Sequence, residues 1–411
     1  MPSSSFEPRS PDGPATVPFR TRDACIACGS RDLERILDLP RLPLTGVFVD
    51  PANNCSHPPQ DQAFLRCASC GHGQLERSLD PDYLYRETYT HRSSVSRISV
   101  DGNRSFLEFV CGLEPQRRYR HCVEVGCNDL ILLRHLQDRA AECTGFDPIW
   151  KTEPPPSEQG VRVVGKYLEE IRPEQDLHSP PDLIVSSHTF EHIHDPLPHL
   201  APLVEYAADD ALVVIEVPSL DTLVHTARFD QIFHQHFNYF TLESLIRMAA
   251  RIDLGYVGHR YNYGYWLGTM GVAFRKQSRV SGHLAPTNSP PRALLEQHYA
   301  LFESQMRCLD GTLDTLSNRC VPIFGYGAAQ MVPILAYHMK FSLNSLQGIV
   351  DDDELKLGKT YPGLSVRIVP TRSTDVSDAA VLITALDSTR PILQRLLKLK
   401  PRYTVSAIHL F

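Results

Sequence analysis

Four of the eleven cysteines form two short pairs with a spacing that suits a zinc ion. Each pair is followed directly by a glycine, in Cys25-Ile26-Ala27-Cys28-Gly29 and in Cys67-Ala68-Ser69-Cys70-Gly71. A C-x-x-C turn holds two thiolates on one side, the glycine permits a positive φ, and two such turns complete a tetrahedral S₄ site. Four thiolates leave no open coordination position, which predicts a structural zinc. The predicted ligands are Cys25, Cys28, Cys67 and Cys70.

Histidines and acids are concentrated directly after an apolar strand predicted at 182–187, in the segment His188-Thr189-Phe190-Glu191-His192-Ile193-His194-Asp195. In an open α/β sheet the ligand crevice lies beyond the carboxyl ends of the strands, so these side chains are expected beside a ligand. His188, Glu191 and His192 are predicted to be catalytic. A metal site is the competing interpretation, although the helical spacing H-E-x-x-H is absent.

A second histidine-rich segment, Phe233-His234-Gln235-His236-Phe237, follows the apolar strand predicted at 212–218. It comes just before a predicted helix and is expected to return to the same crevice. The alternative is that one of the two histidines only packs against a neighbouring aromatic ring. The residues predicted to be catalytic here are His234, Gln235 and His236.

The segment Cys122-Val123-Glu124-Val125-Gly126-Cys127-Asn128-Asp129 predicts a cofactor site. It suggests a buried strand, a tight glycine turn and then a helix, which present N–H groups to a nucleotide-like ligand. A dinucleotide fingerprint needs G-x-G-x-x-G, whereas S-adenosylmethionine has no phosphate and needs fewer glycines. Asp147 ends the next apolar run, where a carboxylate suits the ribose hydroxyls; the alternative is an ordinary α/β turn. The predicted cofactor-binding residues are Glu124, Gly126, Asn128, Asp129, Asp147 and Ser187.

A second strand-turn-helix pattern begins at Val321, and apolar runs follow at 346–350, 366–369, 379–384 and 403–411. This alternation predicts a second open α/β domain. Its glycine turn could hold a phosphate of a nucleotide-linked substrate; alternatively, the domain only supports the first one. A nicotinamide cofactor is disfavoured because the fingerprint lacks its third glycine. The predicted substrate-binding residues are Gly325, Tyr326, Gly327 and Asp351.

At 411 residues the chain is too long for one ordinary domain, and its length predicts two or three. The net charge of -7 argues against a nucleic-acid partner. Neither a membrane span nor a signal peptide is evident, so a cytoplasmic monomer or homodimer acting on a small molecule is expected. The predicted organisation is a disordered tail at 1–18, a zinc-binding domain at 19–80, a class I (Rossmann-like) methyltransferase domain at 81–285 and a second Rossmann-like domain at 286–411.

Together these motifs resemble the sugar C-methyltransferases that act on nucleotide-linked 4-keto deoxysugars in antibiotic pathways. The resemblance runs from Cys25 to the end of the chain and rests on the order and spacing of the motifs. It implies a zinc-bearing domain, an S-adenosylmethionine-dependent domain and a C-terminal Rossmann-like domain, with the sugar nucleotide between the last two. The motifs are the two cysteine knuckles, 123–129, 188–193, 233–240, and 350–352 with Lys356, Gly358 and Lys359.

The resemblance also implies a reaction: a carbon next to a ketone is deprotonated, hydrogen bonds stabilise the enolate, and the enolate attacks the donor methyl group. By motif position His236 is the expected base and His188 a residue of the cleft. A Tyr-x-Tyr segment of the family corresponds to Tyr89-Thr90-His91, so Tyr89 and His91 are expected at the site.

The sequence departs from the family pattern at positions that hold or orient the reacting group. A non-sugar acceptor methylated at nitrogen, oxygen or carbon is therefore an open alternative. An inactive S-adenosylmethionine-binding scaffold is a further alternative, disfavoured because so many polar groups are costly to keep in a crevice. The departures are Phe233 for Tyr and Gln235 for Glu in Tyr-His-Glu-His, His91 for the second Tyr of Tyr-x-Tyr, and Leu130 for the Gly after Asn-Asp.

Overall fold

A computed structural model of the chain describes residues 17–53, 57–80, 83–84, 93–94, 96–276 and 289–407. Most of the predicted tail, together with Tyr89 and His91, lies outside the described residues. The described part contains a small antiparallel unit and two α/β sheets, which confirms the predicted fold class. Within it, none of the helices is long and apolar enough to cross a membrane.

The N-terminal domain is built on an antiparallel sheet that holds the two cysteine turns. One turn precedes the second strand of the domain, and the other begins where the third strand ends, at Cys67. A fourth strand of this sheet, Asn238–Tyr239, comes from far along the chain and pairs with Gly73–Leu75. The strands of the domain are β1 (Phe19–Thr21), β2 (Leu33–Leu42), β3 (Gln60–Cys67), β4 (Gly73–Leu75) and β5 (Arg77–Leu79), of which β1 and β5 pair in a separate two-stranded sheet.

The central domain is a seven-stranded sheet flanked by helices. Its elements are α1 (Arg97–Leu113), β6 (Tyr119–Val125), α2 (Ile131–Leu136), β7 (Ala140–Phe146), β8 (Val161–Val164), α3 (Pro173–Asp176), β9 (Leu183–Ser187), α4 (Leu197–Tyr206), β10 (Leu212–Pro218), α5 (Leu220–His225), β11 (Asn238–Tyr239), α6 (Leu242–Ala250), β12 (Leu254–Asn262) and β13 (Thr269–Lys276). Of these, β11 belongs to the N-terminal sheet.

The strand order β12-β13-β10-β9-β6-β7-β8 determines where a ligand binds. The five neighbouring strands β10, β9, β6, β7 and β8 are parallel to one another. Strand β13 is antiparallel to both of its neighbours, β10 and β12. After β6 the chain adds β7 and β8 on one side of this strand and then crosses to add β9 and β10 on the other side. The neighbouring strands β6 and β9 therefore form the topological switch point. The loops after β6 and β9 therefore face a common crevice at the carboxyl edge of the sheet.

The C-terminal domain is a five-stranded parallel sheet in the order β16-β15-β14-β17-β18. Each of the apolar runs predicted from the sequence overlaps one strand, and a long helix, α7, precedes the first strand. The elements are α7 (Arg292–Asn318), β14 (Ile323–Tyr326), α8 (Val332–His338), β15 (Ile349–Asp351), β16 (Ile368–Pro370), β17 (Ala380–Ile383), α9 (Thr389–Leu399) and β18 (Tyr403–Ser406).

The hydrophobic cores join the domains. Leu39 and Phe64 of the N-terminal sheet share one buried cluster with Leu313 of α7 and Ile323 of β14. Cys25 and other residues of the cysteine turns pack instead in the cluster that covers one face of the central sheet. Because burial of apolar surface is the main stabilising force, the three domains are expected to hold one another in a defined arrangement.

Candidate active site

The two cysteine turns form a zinc site in the N-terminal domain. The Cys25 and Cys70 Sγ atoms lie 3.6 Å apart, as do those of Cys28 and Cys67, and all four lie within 4.8 Å of one another. A tetrahedral zinc with bonds of about 2.3 Å separates its sulfurs by about 3.8 Å, so the arrangement fits the ion. The glycines after both turns have positive φ, as predicted. The zinc is therefore structural.

The glycine turn after β6 is closed by a residue from the loop after β9. Gly126 has a φ of 80°, and a Cβ atom added to it would lie 2.0 Å from Thr189 Oγ1. The Thr189 hydroxyl donates to Val125 O at 3.3 Å. Only glycine fits here, and the close approach fastens the predicted cofactor turn to the histidine-rich segment.

The remaining residues of the cofactor pattern organise the same turn. The Asp147 carboxylate accepts the Asn128 N–H at 2.9 Å and the Ile149 N–H at 3.0 Å. The Trp150 indole donates to Asn128 O at 2.8 Å, and Asp129 accepts the Ser94 N–H at 2.9 Å. Asp147 therefore fixes the main chain on both sides of the crossover from this turn to the segment after β7.

Glu124 is a buried acid at the end of β6, with 3% of its surface exposed. Burial, followed by the field of Asp147, raises the pKa of its carboxyl well above the ordinary value. Within the described residues its Oε2 atom has no hydrogen-bond partner. An unpaired buried carboxyl is costly unless a ligand compensates it. The amino group of S-adenosylmethionine is such a ligand, so the residues fit the cofactor.

His188 and Glu191 form a carboxylate–imidazole pair beside the turn. His188 Nδ1 lies 3.2 Å from Glu191 Oε1, and Glu191 is 1% exposed. Burial lowers the pKa of His188, but Glu191 and Glu216 outweigh it and raise the pKa above the ordinary value. His188 Nε2 has no hydrogen-bond partner in the described part of the chain. One nitrogen is thus oriented by a carboxylate while the other is available for proton transfer.

His236 and His192 complete the group on the other side of Glu191. Their ring centroids are 4.8 Å apart, and His236 stacks on Trp266 at 5.7 Å. Burial, then the fields of His192 and His188, lower the pKa of His236 well below the ordinary value. Glu191, His192 and His236 each offer a metal-ligand atom, and these atoms lie within 4.8 Å of one another.

His234 and Gln235 point away from this group. His234 Nε2 lies 3.0 Å from Leu42 O, in β2 of the N-terminal domain. Gln235 accepts the Thr45 hydroxyl at 2.7 Å and donates Nε2–H to Thr45 O at 2.7 Å. Both side chains therefore anchor the loop to the N-terminal domain, whereas the ring of His236 lies beside those of His192 and Trp266.

The predicted substrate residues surround the glycine turn of the second sheet. Asp351 at the end of β15 accepts the Ala328 N–H at 2.6 Å, as Asp147 does for the turn of the first sheet. Thr384 donates its hydroxyl to Gly327 O at 2.8 Å, and a Cβ on Gly327 would lie 2.4 Å from Ala385 Cβ. Gly325 and Tyr326 end β14 directly before this turn.

Sequence reasoning missed one member of the site, an acid in a central strand. Glu216 in β10 is 2% exposed and accepts the Ser187 hydroxyl at 2.7 Å and the Thr269 hydroxyl at 3.2 Å. Burial raises its pKa, with His188 and the two hydroxyls opposing. Trp266, in the connection between β12 and β13, lies against both His188 and His236. The signal for Glu216 was a single acid inside an apolar strand.

Two departures from the family pattern are accommodated locally. Phe233 lies with its ring centroid 4.1 Å from that of His236, so an apolar ring occupies a place where the family commonly has a phenol. Leu130 takes the left-handed conformation that favours glycine, with a φ of 69°, while its side chain is fully buried. The turn is kept, and the strain of the non-glycine residue is offset by burial.

Family models match three consecutive parts of the chain. A zinc binding domain matches residues 25–85, a methyltransferase domain matches 100–258 and a C-methyltransferase C-terminal domain matches 295–402. The chain is similar to the C-methyltransferase NovU of Streptomyces niveus, at 26% identity over 231 residues. That match covers 55% of this chain and 54% of NovU, so it spans about half of the relative.

Solved methyltransferases share a similarity with part of the chain. The N-methyltransferase NodS of Bradyrhizobium japonicum, in complex with S-adenosyl-L-homocysteine, has 13% identity and a TM-score of 0.33 over 44% of this chain and 88% of its own. The 1,6-didemethyltoxoflavin-N1-methyltransferase of Burkholderia thailandensis has 15% identity and a TM-score of 0.33 over 47% and 82%.

The three family matches follow the order predicted from the motifs, and each overlaps one of the described sheets. The central one is an S-adenosylmethionine-dependent methyltransferase domain. With a zinc binding domain matched before it and a C-methyltransferase C-terminal domain matched after it, the chain contains the three domains in the order that the motifs predicted.

Proposed function

We propose that the whole protein transfers a methyl group from S-adenosylmethionine to a carbon atom next to a ketone, in a nucleotide-linked 4-keto deoxysugar of secondary metabolism. The observation that carries the reaction is the His188–Glu191 pair, 3.2 Å apart, on the loop that closes the Gly126 turn. The motif resemblance and the glycine turn at Gly327 support the nucleotide-linked acceptor.

The proton step uses an imidazole held by a carboxylate. Glu191 orients His188 with Nδ1–H toward itself, so Nε2 accepts the proton from the carbon next to the ketone. The electrons of that C–H bond form the enolate, whose carbon bonds to the donor methyl while the methyl–sulfur bond breaks. S-adenosylmethionine supplies the electrophilic methyl group. We assign the base to His188 rather than to His236 because His188 is paired with Glu191 through Nδ1 and its Nε2 has no hydrogen-bond partner among the described residues.

Calorimetric titration tests the two ligands in turn. Zinc-replete protein is titrated with S-adenosylhomocysteine and then, with that ligand bound, with thymidine diphosphate. Binding of both supports the nucleotide-sugar acceptor and directs assays to 4-keto sugars. Binding of the first alone retains a methyltransferase but replaces the acceptor by a non-sugar molecule, a possibility that Phe233 and Gln235 raise. Failure of the first ligand to bind contradicts the proposal.

Substitution of single histidines tests the proton step. The His188→Gln protein is expected to lose turnover by about 100-fold or more, since general-base catalysis contributes on that order. Its affinity for S-adenosylhomocysteine should stay within a few-fold of the wild type. Exchange of the acceptor's carbon-bound hydrogen with deuterated water, followed without methyl donor, isolates the step. If the His188→Gln protein showed full hydrogen exchange and the His236→Gln protein showed none, His236 and not His188 would be the base.

A further inference from the structure

The connection between β12 and β13 has a strained backbone where it passes the histidines of the site. Trp266 and Leu267 are consecutive residues with a positive φ, of 52° and 56°. Bulky side chains rarely adopt this region, because it brings Cβ too close to a neighbouring carbonyl oxygen. Such strain persists only where the surrounding structure imposes it, and it is concentrated at functional sites. The conformation therefore indicates that one of these side chains has a role in the site.

Hydrogen bonds from the segment between β10 and the second histidine-rich segment hold this backbone. Gln231 donates its Nε2–H to Trp266 O at 2.9 Å. The Thr222 hydroxyl and the Ser219 N–H donate to Gly268 O at 2.9 and 3.1 Å. These bonds lie on either side of the two strained residues, so the main chain of Trp266 is fixed against relaxation.

The half-buried indole of Trp266 contacts two histidine rings at once. It is stacked on His236, with ring centroids 5.7 Å apart and ring planes inclined by 17°. The centroid of the His188 ring lies 5.6 Å from that of the indole, at an angle of 45°. Indole is the largest aromatic side chain, so a single residue can reach both rings. The stack on His236 fixes the plane of the indole, and the indole in turn packs against His188.

The His188 imidazole is thus constrained by one acid and two aromatic rings. Glu191 Oε1 lies 3.2 Å from His188 Nδ1, and the Tyr265 ring lies 4.8 Å from the imidazole at an angle of 61°. The carboxylate fixes one ring nitrogen but leaves the ring able to turn about that contact. Packing against Tyr265 and Trp266 removes this freedom. The other nitrogen, Nε2, has no hydrogen-bond partner in the described part of the chain and is therefore held in one direction by packing alone.

We propose that Trp266 is a positioning residue for the proton step, which keeps His188 Nε2 directed at the carbon acid. This inference rests on the proposed function. Trp266 takes no part in bond making or breaking, because the proton passes from the acceptor carbon to Nε2 and the electron pair stays on the enolate. Its contribution is geometric, since a misplacement of about 1 Å at the reacting groups can lower a rate by about 100-fold.

The indole also keeps water away from the imidazole of His188. Burial lowers the pKa of His188, although Glu191 and Glu216 outweigh burial and raise it. Loss of the indole admits water, which stabilises the imidazolium and raises the pKa of His188 further. Because the base acts in its neutral form, the acid limb of the kcat/KM profile should move to higher pH in Trp266→Leu. The other titratable groups that face His188 are Tyr265 and His236.

Fluorescence tests the contact between Trp266 and His188 on the full, zinc-replete chain without any acceptor. The chain has two tryptophans, so the difference in emission between the wild type and Trp266→Phe reports Trp266. A protonated imidazole in contact with an indole quenches its fluorescence much more than a neutral one does. Trp266 emission should therefore fall as the pH is lowered through the pKa of His188. The fall should be absent when both proteins also carry His188→Gln, and an unchanged fall in that background overturns the contact.

Steady-state kinetics with a nucleotide-linked 4-keto deoxysugar test the positioning role. Trp266→Leu should lower kcat by about 10- to 100-fold, while KM for both substrates and the affinity for S-adenosylhomocysteine stay within a few-fold of the wild type. Trp266→Phe should recover part of kcat, because a smaller ring keeps part of the packing. Tyr263→Leu is the matched control: Tyr263 belongs to the same connection, is 63% exposed and should be replaceable without effect on kcat.

The outcomes separate this inference from the proposed function. A wild-type kcat in Trp266→Leu, or a raised KM with unchanged kcat, overturns the positioning role. If Trp266→Leu does not fold, Trp266→Phe decides: a lower kcat with unchanged thermal unfolding supports the role, and an unchanged kcat overturns it. Absence of methyl transfer in the wild type contradicts the proposed function, and the fluorescence titration then still decides whether Trp266 holds His188.

Discussion

At the scale of single residues, Gln235 shows how a departure from a family pattern acquires another role. Its side chain is 8% exposed and pairs with Thr45 in both directions. Its main-chain carbonyl oxygen accepts His192 Nδ1–H at 2.9 Å. Gln235 thus positions a histidine of the site and attaches the loop to the N-terminal domain. An ionised glutamate could not donate to the Thr45 carbonyl.

We therefore expect Gln235→Glu to lower the free energy of unfolding by about 1 to 3 kcal/mol, because a buried carbonyl loses its donor and faces a carboxylate oxygen. Thr45→Val removes only the hydroxyl bond and should cost about 1 kcal/mol. Urea unfolding of the two single variants and the double variant gives the coupling energy. A Gln235→Glu effect below about 0.5 kcal/mol would show that the pair does not hold the loop.

Asp182 is the residue whose protonation should limit stability in acid. It is buried before β9 and accepts the Arg120 and His121 N–H groups at 3.0 and 3.1 Å. Burial raises its pKa, but these bonds and the field of Arg117 outweigh burial and lower the pKa below the ordinary value. The stabilisation is then present above the unfolded pKa of about 3.9 and lost as pH falls below it.

Asp182→Asn should accordingly cost about 1.5 to 3 kcal/mol at pH 7, since hydrogen bonds to a charged group are lost. Its unfolding free energy should also fall less than that of the wild type between about pH 5 and pH 3. Urea unfolding across this range measures both effects. The exposed Asp209→Asn serves as control and should stay within about 0.5 kcal/mol of the wild type. Parallel pH profiles for the wild type and Asp182→Asn would contradict the assignment.

At the scale of elements, the turn after β6 depends on the loop after β9. Gly126→Ala would place Cβ 2.0 Å from Thr189 Oγ1 at a φ of 80°. We expect S-adenosylhomocysteine to bind at least about 10-fold more weakly, since the turn has to open by more than a side-chain rotation. Gly112→Ala in α1 meets no atom of the described residues within 4 Å and should leave affinity unchanged. Calorimetric affinity near the wild-type value for Gly126→Ala would mean that the cofactor lies elsewhere.

At the scale of the whole molecule, the N-terminal domain supports the catalytic loops. Arg22 is 6% exposed and donates to Asn238 Oδ1 at 2.7 Å and to the carbonyl of His194. Asn238 Nδ2 in turn donates to Phe190 O and Ile193 O at 3.0 and 2.7 Å. One arginine of the zinc-bearing domain therefore holds both histidine-rich segments.

Arg22→Met should lower turnover by about 10-fold or more while S-adenosylhomocysteine affinity changes little, because a misplacement of about 1 Å at the reacting groups is enough to do so. Arg22→Lys should rescue only part of the loss, since an ammonium cannot reproduce the fork of donors. Steady-state kinetics and calorimetry on the same preparations check the two readouts. Equal losses of turnover and cofactor affinity would indicate general unfolding instead.

A buried ion group joins the central and C-terminal domains. Arg228 is 2% exposed and binds Asp230 at 2.7 and 2.8 Å and Asp387 at 3.0 Å. Arg228→Met leaves two carboxylates without their cation and should cost about 3 to 5 kcal/mol. Asp387→Asn should cost less, because Asp387 is 24% exposed and Arg228 keeps Asp230. Urea unfolding curves measure the cost of each substitution in free energy of unfolding. A larger cost for Asp387→Asn than for Arg228→Met would contradict the assignment of Arg228 as the central residue of this ion group.

The sequence by itself determined the elements whose causes are local. The two cysteine turns, the glycine turns after β6 and β14 and the Thr241 cap of α6 each depend on a few consecutive residues, and the structure contains all of them. The strand alternation predicted the α/β class because side-chain periodicity is a local property. The candidate residues His188, Glu191, His192 and His236 were also found, since they follow directly on such strands.

The tertiary structure alone decided which of these residues meet. His234 and His236 are two positions apart, yet one faces Leu42 and the other Trp266. Strand β11 joins the sheet of the N-terminal domain across more than a hundred residues of chain. Glu216 belongs to the site although the other residues of its strand, β10, are all apolar. Such contacts depend on the packing of distant segments, whose energy comes from burial and long-range pairing and has no counterpart in a local pattern.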